Sequence, residues 1–316
     1  MQRWLRFEAM SASFDGDLLA HLHGFDAIAR AVKDMRPHAF ERAARELHVD
    51  PSVLRRRVRA LADYLGAPLL SGRASRMTLT DAGARLEVAG RRILAAATAL
   101  RDDIGEARAT VIVGCTGTIA TELVPLVVAA LEQPPHRIDV RARRMGSAAC
   151  LRAVEAGDVG VGVVRAGAPP PELAAIRLCD DRLWLVVPKA DALATARSVS
   201  LDDIARAPLI TYGETSQTRA RTMAALVPRG VRVRAEVEDG RGAVAYVRLS
   251  LGVALLSRLP GDPPRGRAIV ARDVTRLFPR LSFYAVTRRD ASRSALAVAA
   301  ALRRHVVERQ TRKRSR

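Results

Sequence analysis

The stretch PSVLRRRVRALADYL, residues 51–65, carries side chains of the types and spacing needed to grip a nucleic acid. Ser52, Arg55, Arg56 and Arg59 recur at short helical intervals and so share one face of a helix. Leu54, Val58, Leu61 and Leu65 step by four, three and four along the other. A guanidinium is a planar fork of donors that can take the edge of guanine with two parallel bonds or seat on a phosphate, and an α-helix fits the major groove of B-DNA. The overall charge agrees with a polyanionic partner: 52 lysines and arginines against 33 acidic residues leave +19, nearly all of it from arginine. Part of that excess also fits arginine- and alanine-rich usage set by genomic base composition, and a basic helix face alone is often just solvated surface.

Other chemistry finds less support. Cys115, Cys150 and Cys179 are widely separated, odd in number and not in a CxxC pair, which fits a reducing compartment rather than a disulfide framework. Cys115 as the nucleophile of an enzyme has no histidine or paired cysteine near it in sequence. The six histidines are scattered, and His21 with His23 lacks partners at zinc spacing. There is no nucleophile elbow, Walker loop, GxGxxG or HExxH. The expectation is therefore no metal, no cofactor and no enzyme. Residues 1–14 lack the apolar core and cleavage site of a signal peptide, and no window is apolar enough for a membrane span, so a cytoplasmic, nucleoid-associated protein is expected.

The elements that must position the arginines can be read from periodicity. Leu22, Phe25, Ala29 and Val32 mark a first helix that Pro37 closes, and Phe40, Ala43, Ala44 and Leu47 mark a second over Ala39 to Leu47. After the break His48-Val49-Asp50, Asp50 can cap the basic helix, and Pro51 suits its first position, where an N–H is not needed. Two helices joined by a three-residue turn, the second basic outside, make a helix-turn-helix. Beyond Gly66, two short strands around Leu69-Leu70 and Met77 to Thr80 would form a wing, with Arg73 and Arg76 near its tip.

The segment from Phe25 to Gly83 resembles the DNA-binding domain of the LysR-type regulators. The matching features are Phe40, Ala43, Ala44, Leu47 and Val49, then Leu61, Leu65 and Gly66, the wing residues Pro68 and Leu69, and the closing Leu79, Thr80, Ala82 and Gly83. The chain departs from the family at His38-Ala39, where a glycine-serine pair is usual. It departs again at Asp50, Pro51 and Arg55, where serine-glutamine and a second serine are usual, and in the wing, where Gly72 precedes Arg73. Losing the glutamine removes an adenine reader while Arg55 adds a phosphate or guanine reader, so the preferred operator is expected to differ. The candidate DNA-contact set is Phe40, Ser52, Arg55, Arg56, Arg57, Arg59, Arg73 and Arg76.

From Asp81 to about Glu106 one long helix is expected, with Leu86, Ala89, Ile93, Ala96 and Leu100 along one side. The resemblance implies that this linker pairs with its twin in a homodimer or homotetramer; a helix packed on its own domain is the alternative. Beyond Thr110, short apolar runs alternate with amphipathic helices, which argues for parallel sheets with a ligand beyond the strand ends. This half is similar to the family's effector domain, two α/β lobes with a cleft like that of periplasmic solute-binding proteins. The matching features are the turn Gly114 to Thr118, Gly157-Asp158 and SLGVALLS at Ser250 to Ser257.

By that resemblance the effector would meet Thr116, Thr118 and Ser147 on one lobe and Thr211, Tyr212 and Gly213 on the other. Hydroxyls and free amides at helix N-termini, with Arg143 or Arg144 nearby, suit a small polar or anionic effector, although Thr116 and Thr118 could equally serve only as caps. The expected order is an N-terminal extension (1–16), a winged helix-turn-helix (17–80), a linker helix (81–107), an α/β effector domain (108–308) and a basic tail (309–316). Lobe one of the effector domain would take about 108–185 and 271–308, and lobe two about 186–270. The fold class is α plus α/β. The function this implies is a sequence-specific transcription regulator modulated by a small molecule, with duplex DNA, further copies of the chain and RNA polymerase as partners. A basic architectural DNA binder without effector response, and a cysteine-dependent enzyme, are the alternatives.

Overall fold

The computed structural model describes residues 17–314 apart from 35–36, 73–75, 105–107, 133–136, 170, 260–262 and 265. The N-terminal extension, Arg73 and the end of the tail lie outside the described residues. The chain divides into two compact units, Met1–Arg101 and Asp102–Arg316.

In the first unit, helix α1 (Leu18–Lys33) starts a turn earlier than its apolar pattern because the Asp17 side chain accepts from the amides of Leu19 and Ala20. Helices α2 (Ala39–Leu47) and α3 (Pro51–Leu65) follow. The Asp50 carboxylate accepts from the Ser52 amide at 2.7 Å, with Pro51 at the first helical position. Phe25, Ile28, Ala43, Leu54 and Leu61 form the core between the three helices. Leu65, expected to be buried, is 46% exposed: the helix ends there and Gly66 turns the chain away in the left-handed conformation.

The helix-turn-helix bends at two histidines. His38 and His48 both have left-handed backbones, φ 62° and 53°. A β-carbon makes that region costly by roughly 1–2 kcal/mol, which a glycine avoids. The departure from the family's glycine at His38 therefore falls on a position where the backbone geometry favours glycine.

The wing strands β1 (Leu70–Ser71) and β2 (Thr78–Leu79) pair antiparallel. Thr80 fastens them by donating to the Pro68 carbonyl at 2.6 Å and accepting from the Gly83 amide at 3.0 Å. A β-carbon on Gly83 would lie 2.1 Å from the Leu69 carbonyl oxygen, which explains the glycine. Helix α4 (Asp81–Ile104) is held at its start by a buried ion network: Glu87, 3% exposed, takes Lys33 at 2.6 Å and Arg91 at 2.9 Å, and Arg91 takes Asp26 at 2.6 Å. Its apolar side divides accordingly. Leu86 and Leu94 pack on the core, while Ile93, Leu100 and Ile104 stay exposed.

The second unit contains two five-stranded sheets. The first has the order β4-β3-β5-β12-β6, from β3 (Thr110–Cys115), β4 (Asp139–Arg144), β5 (Val161–Ala166), β6 (Ala174–Asp180) and β12 (Ser282–Thr287). The second has the order β11-β7-β10-β8-β9, from β7 (Arg182–Pro188), β8 (Leu209–Tyr212), β9 (Val233–Val237), β10 (Val253–Arg258) and β11 (Ile269–Asp273). The sheets are mixed rather than wholly parallel. β12 runs against β5 and β6, and β7 runs against β10 and β11, because these strands carry the chain out of one lobe and back. The chain changes sheet at Asp181 and between Asp273 and Ser282, so the expected lobe boundaries near 185 and 271 fall inside β7 and β11.

Helix α5 (Gly117–Glu122) and helix α6 (Val124–Leu131) follow β3, and Pro125, which has no N–H for the hydrogen-bond ladder, keeps the two from forming one helix. Helix α7 (Ser147–Ala156) follows β4; α8 (Ala192–Thr195), α9 (Leu201–Arg206), α10 (Gln217–Leu226) and α11 (Gly240–Arg248) belong to the second lobe. The last helix, α12 (Arg293–Arg314), runs on through most of the segment expected as a basic tail. No helix among the described residues is long and apolar enough to cross a membrane.

Two stability changes follow for the first unit, to be read in its transition by calorimetry of the full chain. His38→Gly relieves the left-handed strain and is expected to stabilise by about 0.5–1 kcal/mol, net of the added freedom of the unfolded chain. Gly83→Ala drives a methyl into the Leu69 carbonyl and is expected to destabilise by about 1–3 kcal/mol. An unchanged transition in either variant contradicts the backbone reading.

Candidate DNA-binding face and effector cleft

The capped start of α3 and its buried leucine side fix which arginines face outward. Ser52, Arg55, Arg56 and Arg59 are exposed together. Arg57 turns toward α1: its Cδ would lie 3.4 Å from a β-carbon on Gly24. Phe40, expected at the DNA contact, is only 9% exposed and belongs to the core. Arg55 lies over its ring at 5.2 Å and donates to Glu41 at 2.7 Å. A backbone hydrogen bond and the Arg55 guanidinium hold the Glu41 carboxyl below its ordinary range, so it stays ionised against the basic face. Arg76 is exposed at the return of the wing.

In the second unit, the C-terminal ends of β3, β4, β5, β8, β9 and β10 converge on a cavity of about 400 Å³ between the lobes. Close packing sets its floor. Cys150 of α7 lies over Gly114 and Gly162, where an added β-carbon would come within 2.8 Å of its sulfur. This brings the start of α7 against the strand ends. Ser147, 3% exposed, lines the cavity, and its hydroxyl already accepts the Arg165 amide at 3.1 Å. Thr116 and Thr118 line it from the first lobe and Tyr212 from the second. Arg144 reaches it across Gly117, whereas Arg143 is not among its lining residues.

Thr211 and Gly213 do not line the cavity. Strand alternation sends Thr211, 3% exposed, to the face opposite Tyr212, and Gly213 stands exposed beyond the strand. The cavity adds residues that sequence reasoning missed: Arg165 at the end of β5, Thr218 on α10, Ser257 on β10, and Glu238 with Asp239 before α11. The signal for Arg165 was present as a lone charge closing the apolar run VGVV. Asp239 is committed in part to capping α11, accepting from the amides of Arg241 and Gly242. An adjoining space of about 570 Å³ extends the cleft toward Glu122 and Arg258, which form an ion pair across the lobes at 2.5 Å.

Behind the cavity lies a buried polar cluster. Arg165 Nη1 donates to the Thr218 hydroxyl at 2.6 Å, and the guanidinium lies 5.8 Å from the Phe283 ring centre. Asp181, 1% exposed, accepts from Arg221 at 2.9 Å and from the Ser257 hydroxyl at 2.5 Å. Burial pushes the Asp181 carboxyl up, and Arg165, Ser257 and Arg221 pull it back. Burial pulls both guanidiniums down, opposed by Asp181. The three cysteines are free and buried, and burial raises the thiols of Cys115 and Cys179 to about 12 and that of Cys150 to about 11. A thiol so protonated is a poor nucleophile at neutral pH. Among the described residues no cluster of His, Cys, Asp or Glu is placed to hold a metal.

Known proteins share both halves. Residues 19–84 match the family model of bacterial regulatory helix-turn-helix proteins of the lysR family, and residues 105–310 match the LysR substrate binding domain. A probable RuBisCO transcriptional regulator of Trieres chinensis is 27% identical over 69% of this chain and 75% of its own length. A full-length OxyR from Pseudomonas aeruginosa, in a variant with one cysteine replaced by aspartate, shares the fold at a TM-score of 0.67, with 18% identity over 92% of this chain and 95% of its own. The effector binding domain of QuiR in complex with shikimate superposes with a TM-score of 0.53, at 14% identity over 64% of this chain and 99% of its own. Two family models matched in chain order, one to the helix-turn-helix and the other to most of the two-lobed unit, place this chain in the LysR family of bacterial transcription regulators.

Proposed function

We propose that this LysR-type regulator reads its operator mainly through Ser52, Arg56 and Arg59 of α3, with Arg76 on the phosphate backbone beside the wing. The observation that carries this reading is the division of α3 into a buried leucine side and an exposed basic side. Arg55 belongs to the same face but starts engaged with Glu41 and Phe40, so it must exchange Glu41 for DNA. Arg57 packs inward and contributes through the fold.

The effector sits between the lobes of the second unit, against Thr116, Thr118, Ser147 and Tyr212. A volume of about 400 Å³ suits a small metabolite. The QuiR domain, which carries shikimate, has the same fold. The exposed Ile93, Leu100 and Ile104 of α4 offer an apolar strip that a second copy would cover, giving a homodimer or a higher homo-oligomer. A regulator of this kind works where the chromosome is, in the cytoplasm, and RNA polymerase is the partner through which it acts on transcription.

After genome-wide mapping of bound sites has supplied an operator, gel-shift titrations at fixed salt test the face. Arg56→Ala and Arg59→Ala are each expected to weaken binding by about 1–3 kcal/mol where they read bases. Where either contacts phosphate instead, the loss is uniform across sequences and the salt slope falls by about 0.9. Glu41→Gln is expected to tighten binding, because it releases Arg55 and removes a negative charge beside the groove. Wild-type affinity in both arginine variants would remove Arg56 and Arg59 from the interface.

A further inference from the structure

The geometry points to Arg165 as the anchor of the effector, and to a small monocarboxylate as the effector's chemical class; this rests on the effector-cleft reading above. Arg165 is a lobe-one residue at the end of β5, only 9% exposed, and it lines the cavity. Its guanidinium donates to a neutral acceptor, the Thr218 hydroxyl, and its Nε has no partner among the described residues. The carboxylate whose charge acts on it, Asp181, is already taken: one oxygen holds Arg221 and the other holds the Ser257 hydroxyl. Two buried guanidiniums thus share one buried carboxylate, and Asp181 acts on Arg165 through its field without a direct bond.

A buried guanidinium cannot shed its proton and is costly without a counter-ion. The cavity is where one can enter. A carboxylate is planar and has two acceptor oxygens, so it matches the guanidinium fork, as a halide does not. Ser147 at the start of the ten-residue α7 and Gln217 at the start of the ten-residue α10 line the same space, so two helix N-termini add partial positive charge around the buried guanidinium. Glu238 and Asp239 also line the cavity, on the second lobe. With Arg144 also lining the cavity, the two acids balance the two guanidiniums, which leaves no surplus positive charge for a dianion and the incompletely partnered Arg165 for a single carboxylate carrying hydrogen-bond donors. Because Arg165 belongs to lobe one and Thr218 to lobe two, an anion on this guanidinium touches one of the bonds that tie the lobes.

Sodium formate is a minimal carboxylate probe, and sodium chloride at equal ionic strength is its control. In thermal unfolding of the full chain, formate is expected to raise the effector-domain transition above chloride. Arg165→Gln is expected to abolish that difference, and Arg165→Lys, which keeps the charge but loses the fork, to weaken the apparent formate affinity about tenfold. Circular dichroism of both variants separates lost binding from lost fold, and the lysine variant decides if the glutamine variant does not fold. Coincident formate and chloride curves in the wild type, or a formate effect untouched in a folded variant, overturn the anchor. A stronger response to inorganic phosphate than to formate overturns the monocarboxylate class.

Thr118→Trp, which fills the cleft, separates this failure from that of the cleft itself. If an uncharged metabolite stabilises the wild type and loses its effect in Thr118→Trp while Arg165 proves irrelevant to formate, the cleft stands and the carboxylate anchor falls. If Thr118→Trp leaves formate and every stabilising compound unaffected, the cleft reading falls as well.

Discussion

The second unit hinges on Asp181. This residue sits where the chain first leaves one sheet for the other, and its backbone N–H donates to the Leu281 carbonyl on the returning crossover at 2.9 Å. Its side chain meanwhile holds Arg221 of α10 and Ser257 of β10, both in the second lobe. A carboxylate with 1% exposure is stable only with such partners, and losing any one leaves buried charge or a buried donor unmet. Asp181 therefore ties the first crossover both to the second and to the cleft-lining Ser257, beside bonds such as that from the Leu183 amide to the Thr275 hydroxyl at 2.9 Å. The strand ends on either side can then face one cavity while each lobe keeps its own core, apart from Leu259, which follows β10 and packs into the core of the first lobe.

In the first unit the deciding constraint is how α3 divides its circumference. Leu54, Val58 and Leu61 bury one side against α1 and α2, and Asp50 with Pro51 fixes where the helix begins. Once both are set, the direction of each arginine follows from its position. Arg55 is covered in part by Glu41 and Phe40, Arg57 meets Gly24, and Arg56 with Arg59 is left facing outward. Neighbouring arginines on one helix thus stand in three different environments, a distinction that net charge cannot make.

Legibility from sequence followed the strength of local rules. The three helices, the turn at His48 and the wing are written in caps, periodicity and glycines, and the family resemblance rested on the same positions. The strands β6 and β11 went unread, because AAIRLCD and IVARD mix charged with apolar residues and show no long apolar run, even though Gly- and Pro-rich segments precede both. The split at Pro125 was available in sequence, yet the apolar run on both sides of it reads as one helix. Of the cleft residues, Thr116, Thr118, Ser147 and Tyr212 came from analogy and do line the cavity, while Thr211 and Gly213 do not. The difference at β8 is one of strand phase, which sheet pairing settles and composition does not.

Arg165 illustrates why buried polar clusters resist sequence reading. In one dimension it is a lone arginine after four apolar or small residues, in a chain that has arginine nearly everywhere. Its meaning comes from residues 53 and 118 positions away, Thr218 and Phe283, and from Asp181, which already has other partners. Its hydrogen bond spans the lobes, so any group that competes for this guanidinium changes the free energy of one lobe arrangement relative to another. A ligand shifts such an equilibrium only by its differential affinity for the two states, and a charge left short of a counter-ion in one state is a direct source of that difference. Linkage then requires that an effector which alters operator affinity by some factor be altered in its own affinity by the same factor when the operator is bound. An anion bound as proposed above would draw its coupling from how unequally two lobe arrangements satisfy this buried cation.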